Sequence, residues 1–464
     1  MKENPKMFDL ETQIRDWKNH LQEHSSIGYG DLEELESHLR DSIDELVATQ
    51  LNNEEAFLIA VKRLGDVDSI QREFAKASTE DMWRQLFIPT DNRLATHMNT
   101  RELLVVIVLT LFAGLLGKVP SLFGYGDFDA HGAIYARNAA IFAFLPIALY
   151  FVWKRSLPVM KSIVALIPFL IASLVVNLYP SFEPHHTAML SAIHLPIVLL
   201  YTLLYFYSGP ATGKESGWRS PHNRLNFIRF AGESFIFAVL IGLGGVVLIL
   251  LTMGTFELVG IDASPFIQNW MAPMGFFGLF TIAAYLVEQK KSLIESIAPV
   301  LSRIFTPLFF LVLMGLLIAF ASNPQDAYEN RMLLIWFDVV LALVLALTLY
   351  SMSAKDQVSA STRTIWDAFT FALLIAAILV DLIALAGIVI RVSNYGFTAN
   401  KSAALGENII LLVNLVLLAS GYMKFFRRTS SFQSIVRMQT RFLDVYAVWA
   451  TVVVMLFPLV FSFT

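Results

Sequence analysis

The spacing of apolar positions changes character near residue 100 of this 464-residue chain. Before that point Phe8, Ile14, Trp17 and Leu21 recur at helical spacing with charged residues between them, until Ser25, Ser26, Gly28 and Gly30 break the pattern. Asp31 is placed to cap a second helix whose apolar stripe is Leu32, Leu35, Leu39, Ile43, Leu46 and Val47. Asn53 opens a third helix, with Glu54 and Glu55 at its positive dipole end and Gly65 as its stop. A short fourth helix is predicted over 68–77, with Ile70 and Phe74 turned inward. These stripes are amphipathic rather than apolar all round, so 1–78 reads as a small, water-facing helical bundle.

Past residue 100 the apolar runs approach or exceed the roughly 20 residues that a spanning helix needs. Eleven can be placed, at 102–119, 133–153, 159–179, 186–207, 230–256, 266–288, 297–320, 332–351, 365–390, 403–425 and 442–463. Between bundle and spans, 79–101 carries Trp83, Leu86, Phe87, Ile88 and Pro89 and reads as an interfacial connector. It is either a lever between the two parts or a tether anchored at the headgroups. The expected fold class is therefore all-α: a small cytosolic helical bundle over 1–78, the connector, and a polytopic α-helical membrane domain of about 11 spans over 102–464.

Charge orients this arrangement. With the N-terminus inside, the cytosolic loops hold Lys154, Arg155, Lys161, Lys214, Arg219, Arg224, Lys290, Lys291, Lys355, Arg363, Lys424, Arg427, Arg428, Arg437 and Arg441. The opposite loops are mainly acidic, with Asp127, Asp129, Glu183, Glu257, Asp262, Asp326 and Glu329 against a few basic residues (Lys118, Arg137, Arg331, Arg391 and Lys401). That is the positive-inside asymmetry, and an odd span count puts Thr464 outside. Met1 to Asp9 is polar, so no cleavable signal peptide is expected and the first span should act as an anchor.

Composition narrows the chemistry. Charged residues make up 16% of the chain, well below the roughly 25% of soluble proteins, as a lipid-exposed surface requires. The absence of cysteine excludes disulfides, thiolate zinc sites and cysteine nucleophiles. A net charge of −4 gives no reason to expect direct nucleic-acid binding. No Walker motif, dinucleotide fingerprint, HExxH zinc motif or nucleophile elbow occurs, so no catalytic residue, metal centre or cofactor is expected.

Two stretches carry family resemblances. Leu32-Glu33-Glu34-Leu35-Glu36-Ser37-His38-Leu39-Arg40-Asp41, then Glu54-Glu55-Ala56-Phe57, Ala60-Val61, Arg63-Leu64-Gly65 and Glu73-Phe74-Ala75, resemble the permease prefix domain, or HAAS-type signalling domain. The likeness implies a bacterial membrane protein associated with a PadR-type regulator. It makes Glu33, Glu36, Arg40 and Asp41 the candidates for docking a partner. Near the other end, the stretch from Arg391 through Asn394, Tyr395, Gly396, Thr398 and Asn400 to Lys401, followed by a span containing Asn414, resembles a bacterial membrane family called domain of unknown function 4153. Lys401 stands where that family usually has Arg, which keeps the charge but loses the planar fork. Arg391, Tyr395, Asn400 and Lys401 are therefore candidates for an outer-loop anion site, or else serve to cap two helix ends.

Inside the predicted spans lie His194, Glu233, Asp338, Asp381 and Asn414. Asp338 and Asp381 sit roughly 10–15 Å from the outer ends of their spans at 1.5 Å per residue, and His194 at a comparable depth. A carboxylate facing lipid there costs about 2.5–3.5 kcal/mol, so these groups should face protein or a wet cavity. They read as a proton or cation pathway, or as a network that sets helix register. Glu233 beside Arg229 reads as a local ion pair, and His185 and His186 beside Glu183 as a weak metal motif at the outer surface. The leading reading is a bacterial inner-membrane signalling or transport-associated protein whose bundle docks a regulator, with a separate transporter subunit as a further partner. A proton- or cation-coupled secondary transporter is the runner-up, and a membrane-embedded enzyme comes third.

Overall fold

A computed structural model describes residues 9–24, 29–48, 51–64, 100–125, 128–210, 213, 216–258, 260–289, 297–322, 331–355 and 362–464. The predicted helix over 68–77 lies outside them, as does the connector apart from Thr100 and Arg101. The chain divides into two compact units, Met1–Met98 and Asn99–Thr464. All regular structure among the described residues is helical.

In the first unit, α1 (Leu10–His24), α2 (Tyr29–Ala48) and α3 (Asn53–Leu64) enclose Ile14, Leu39, Ile43, Leu46, Ala56, Phe57 and Ala60. The described stripe residues Ile14, Leu39, Ile43 and Leu46 thus pack together, while Val47 at the end of the α2 stripe is turned outward. Asp31 falls inside the first turn of α2 instead of capping it, because the helix already begins at Tyr29. At α3 the cap is Asn52, whose Oδ1 accepts from the Glu55 amide at 2.8 Å while Glu55 accepts from the Asn52 amide at 3.2 Å. This reciprocal capping box satisfies two amides that would otherwise lack partners.

The second unit is a multi-pass membrane domain. Among the described residues, ten helices are long and apolar enough to cross a bilayer. They are α4 (Thr100–Leu122), α5 (Phe128–Lys154), α6 (Val159–Leu178), α7 (His186–Ser208) and α8 (Pro221–Leu258), then α9 (Ser264–Gln289), α10 (Ile297–Ser322), α11 (Arg331–Ala354), α12 (Ile365–Tyr395) and α13 (Ala399–Phe426). The eleventh predicted segment is divided: α14 runs Phe432–Met455 and, after Leu456, α15 covers Phe457–Val460. α14 starts well before the apolar run because Phe432, Ile435, Gln439 and Thr440 already pack inward there. Large apolar side chains such as Leu240, Leu243, Leu250 and Leu251 on α8 remain exposed, the surface that a lipid solvent requires.

Two apolar cores divide this unit into lobes. One, around Phe151, Leu199, Phe206 and Ala284, is built by α4 to α9. The other, around Leu313, Leu341, Leu373 and Leu415, is built by α10 to α13 and the start of α14. A small cluster of Leu190, Ala399, Ala403, Val453 and Phe457 joins them along α7, α13, α14 and α15. Polar contacts fix which helix ends lie together. Glu102 pairs with Lys154, Arg155 with Glu288 at 3.3 Å, and Arg224 with Asp444 at 2.8 Å. Arg229 donates to the Ser353 carbonyl, Lys355 pairs with Asp367 at 2.9 Å, and Arg363 donates to the Phe425 carbonyl at 3.1 Å. On the opposite side Lys118 donates to the Asn269 carbonyl, and the Thr187 amide to the Thr464 carbonyl at 2.9 Å. Successive long helices therefore alternate in direction.

Candidate functional site

His194, Asp338 and Trp449 converge on one turn of α13, Gly406-Glu407-Asn408, at the seam between the lobes. Each residue of that turn has a separate partner. Gly406 leaves room for Trp449 of α14, whose ring lies 2.1 Å from where a Cβ would stand. Glu407 meets His194 of α7, with Oε1 and Nε2 2.5 Å apart. Asn408, fully buried, donates to Asp338 Oδ1 of α11 at 2.9 Å and to the Ala404 carbonyl at 2.8 Å. Small residues at such crossings let helices approach closely enough for side chains to bond.

His194 is buried, and its Nδ1 lies 2.8 Å from the Leu190 carbonyl, an acceptor that requires a proton on that nitrogen. Nε2 then either accepts a proton from a neutral Glu407 or, as imidazolium, donates to a carboxylate.

Asp381 of α12 is fully buried, and neither carboxyl oxygen has a hydrogen-bond partner among the described residues. Asp338 is within electrostatic range of it, and Glu407 within range of Asp338. The Tyr446 hydroxyl on α14, itself without a hydrogen bond among the described residues, completes this group from the side of Asp381. A buried carboxylate without donors is stable only when a proton or a counter-cation neutralises it. Three carboxyls and an imidazole thus come together from α7, α11, α12 and α13. The chemistry available to them is uptake, sharing and release of protons or a small cation.

The other candidates are placed differently. Asn414 forms a reciprocal amide pair with Gln439 of α14, at 2.9 and 3.0 Å, and both are fully buried. That pair clasps α13 to α14 and leaves its amides facing each other. Lys401 donates to the carbonyls of Gly396 at 2.9 Å and Tyr395 at 3.3 Å, closing the end of α12. Gly396 has φ 71°, the left-handed region that glycine tolerates. The cap of α13 is Thr398, whose hydroxyl accepts from the Lys401 amide at 3.5 Å. Tyr395 is exposed, Asn400 lies in the first turn of α13 and Arg391 is half-buried near the end of α12. Arg229 and Glu233 share a small polar cavity with Glu288. His185 contacts Ser181 at 2.9 Å, and no group of three metal-ligating side chains occurs among the described residues.

In the first unit two docking candidates are engaged internally. Arg40 pairs with Glu11 at 2.7 Å and with Glu36 at 3.0 Å, and Lys18 pairs with Glu36 at 2.6 Å. Hydrogen bonds from Lys18 and Arg40 hold the Glu36 carboxyl below its usual range, and Arg40 does the same for Glu11. Asp41 is exposed, while Glu33 lies on α2 with its side chain outside the described residues.

Sequence reading missed Glu407, Asn408, Gln439 and Tyr446. The available signal was Gly406-Glu407-Asn408 itself, a polar turn inside an apolar span. No family model, no curated protein and no solved structure matches this chain.

Proposed function

We propose that the chain is a proton-coupled secondary transporter of a bacterial inner membrane, with Asp381, Asp338, Glu407 and His194 as its proton-handling groups. The observation that carries this reading is Asp381, fully buried, without a hydrogen bond among the described residues, and within electrostatic range of a second carboxyl. Ionisable groups so placed in a membrane protein mark proton and ion paths. A small cation in place of the proton is the variant of the same reading.

The topology proposed with it has eleven crossings, the first unit and the basic ends of the helices in the cytosol, and Thr464 outside. Two facts support it. The helix ends that share contacts through Lys154, Arg155, Arg224, Lys355 and Arg363 are the basic ones. Thr464 bonds to the opposite end of α7, at Thr187.

The test is reconstitution of the full chain, with currents recorded on rapid pH steps and labelling by dicyclohexylcarbodiimide, which attacks protonated carboxyls in apolar surroundings. Labelling of Asp381 that declines as pH rises, with pH-step currents absent from Asp381→Asn, is the expected result. Currents equal in wild type and Asp381→Asn defeat the proposal.

A second reading keeps the resemblance to permease prefix domains: the bundle docks a PadR-type regulator and the membrane unit sets its state. The separate compact core of the first unit favours it. Engagement of Glu36 and Arg40 in internal ion pairs leaves Asp41 as the exposed docking candidate whose side chain is described.

A further inference from the structure

A groove of about 870 Å³ runs between α6, α7 and α14, away from the acid cluster. Its volume is at the upper end of the roughly 300–1,000 Å³ typical of small-molecule sites. The walls are almost wholly apolar, and exposed lining residues such as Val164 and Val448 leave it open on the lipid side. The charged lining residues, Lys161 and Asp444, lie at one end with Tyr201 and Trp218, while Thr202 and Thr451 turn their hydroxyls to the Val198 and Ala447 carbonyls of their own helices.

The length is informative. Along α14 the lining extends from Asp444 to Met455, roughly 16 Å at 1.5 Å per residue. That equals the hydrocarbon depth of one leaflet, about half of a roughly 30 Å core. The polar end has the make-up of a headgroup level, where tryptophan and tyrosine rings collect.

Charge selects the headgroup. Asp444 is the one acidic lining residue among those described; it is paired with Arg224 at 2.8 Å and accepts a hydrogen bond from the Tyr201 hydroxyl at 2.6 Å. Lys161 is exposed at the rim, and exposed Arg219 lies over the Trp218 ring at 5.0 Å. Arg441 stands one turn before Asp444 on the same face of α14. Among the described residues, the charge left at the mouth is therefore positive.

We propose that this groove is a binding site for an anionic two-chain phospholipid, with its acyl chains along α14 and its headgroup at Lys161, Arg219 and Arg441. On the orientation proposed above, the lipid comes from the cytosolic leaflet, the one whose surface is enriched in anionic lipid. The site stands independently of the proton reading, since none of its groups belongs to the acid cluster.

The test is native mass spectrometry of the intact chain, with dioleoyl phosphatidylglycerol and dioleoyl phosphatidylcholine as probes. Phosphatidylglycerol should be retained in preference. Each of Lys161→Gln and Arg219→Gln should weaken it about fivefold, as loss of one basic residue near an anionic surface does. Val448→Trp, which fills the groove, should abolish retention, and Leu251→Trp on the exposed face of α8 should not. A phosphatidylglycerol with a diazirine in its acyl chain should crosslink wild type at α6, α7 and α14, a readout that does not depend on how the variants fold. Equal retention of both lipids, or crosslinks as dense on α8 as on α14, overturns the site.

Discussion

His194 and Glu407, 213 positions apart, meet at 2.5 Å across the seam between two lobes that otherwise have separate cores. The contact ties α7 to α13. Any movement of one lobe against the other would have to break or carry that contact. The two residues should therefore be energetically coupled. Truncating either to Ala should destabilise the detergent-solubilised protein, and the double variant should fall short of the sum by about 1–3 kcal/mol. Strict additivity of the melting shifts would show that the contact is not made.

Asp338 and Asp381 should respond in opposite ways to apolar replacement. Asp338→Leu removes one of the two acceptors of the buried Asn408 side-chain amide, leaving it only the Ala404 carbonyl, and should cost about 1–3 kcal/mol. Asp381→Leu breaks no hydrogen bond seen among the described residues and removes a buried acid, so its melting temperature should be unchanged or raised. A thermal melt of the two variants side by side decides this. If Asp381→Leu is the more damaging, its carboxyl has a structural partner and the proton reading loses its basis.

The difference between these two acids also shows what was legible from sequence. Period and run length locate the ten long apolar helices among the described residues, because a lipid solvent demands apolar length and leaves little choice. Burial depth marked Asp338, Asp381 and His194 as groups that must face protein. Which group meets which could not be read, because the partners of Asp338 and His194 are adjacent residues on a helix 70 and 213 positions away. Glu407 was overlooked because it lies among Gly406 and Asn408, a local pattern that resembles a helix end. The helix at Phe432–Met455 was clipped for the converse reason. Its first turns are amphipathic, and hydropathy alone does not register Gln439 as buried.

The first unit should fold alone, since its three described helices enclose their own core. Residues 1–98 should be soluble and helical, and Leu39→Asp, placing a charge at a fully buried position, should unfold them. Glu36→Gln should lower stability by about 1 kcal/mol at neutral pH, the upper range for exposed ion pairs. Because Lys18 and Arg40 depress the folded-state pKa of Glu36, this stabilisation is full above the unfolded carboxylate range and is lost as pH falls through the lower folded value. Urea melts of wild type and Glu36→Gln should therefore converge on acidification. A gap that widens at low pH contradicts the ion-pair assignment.

The Asn414–Gln439 clasp gives a cleaner separation of structure from function. Replacing Asn414 alone by Leu leaves the Gln439 amide buried and unbonded, at a cost of about 1–3 kcal/mol. Replacing both by Leu removes the two amides together and should recover most of that loss. Because the clasp makes no contact with the acid cluster in the hydrogen bonds described, pH-step currents of the double variant should match wild type. Currents lost in a well-folded double variant would place Asn414 on the ion path.

Orientation is open to direct measurement, since the chain has no cysteine of its own. Single cysteines at Asp262 and Thr464 should react with an impermeant thiol reagent in intact cells, whereas cysteines at Ser156 and Arg428 should react only after lysis. Two independent features support this orientation. The basic helix ends gather on one side through the contacts of Arg155, Arg224 and Lys355, and the positive-inside rule assigns that side to the cytosol. Thr464 is bonded to the start of α7, on the other side, so its accessibility follows from α7 however the helices between are counted. Labelling of Ser156 and Arg428 in intact cells inverts the whole unit. Labelling of Arg428 and Asp262 together, with Thr464 protected, would instead require an even number of crossings and place the break within α10 to α13.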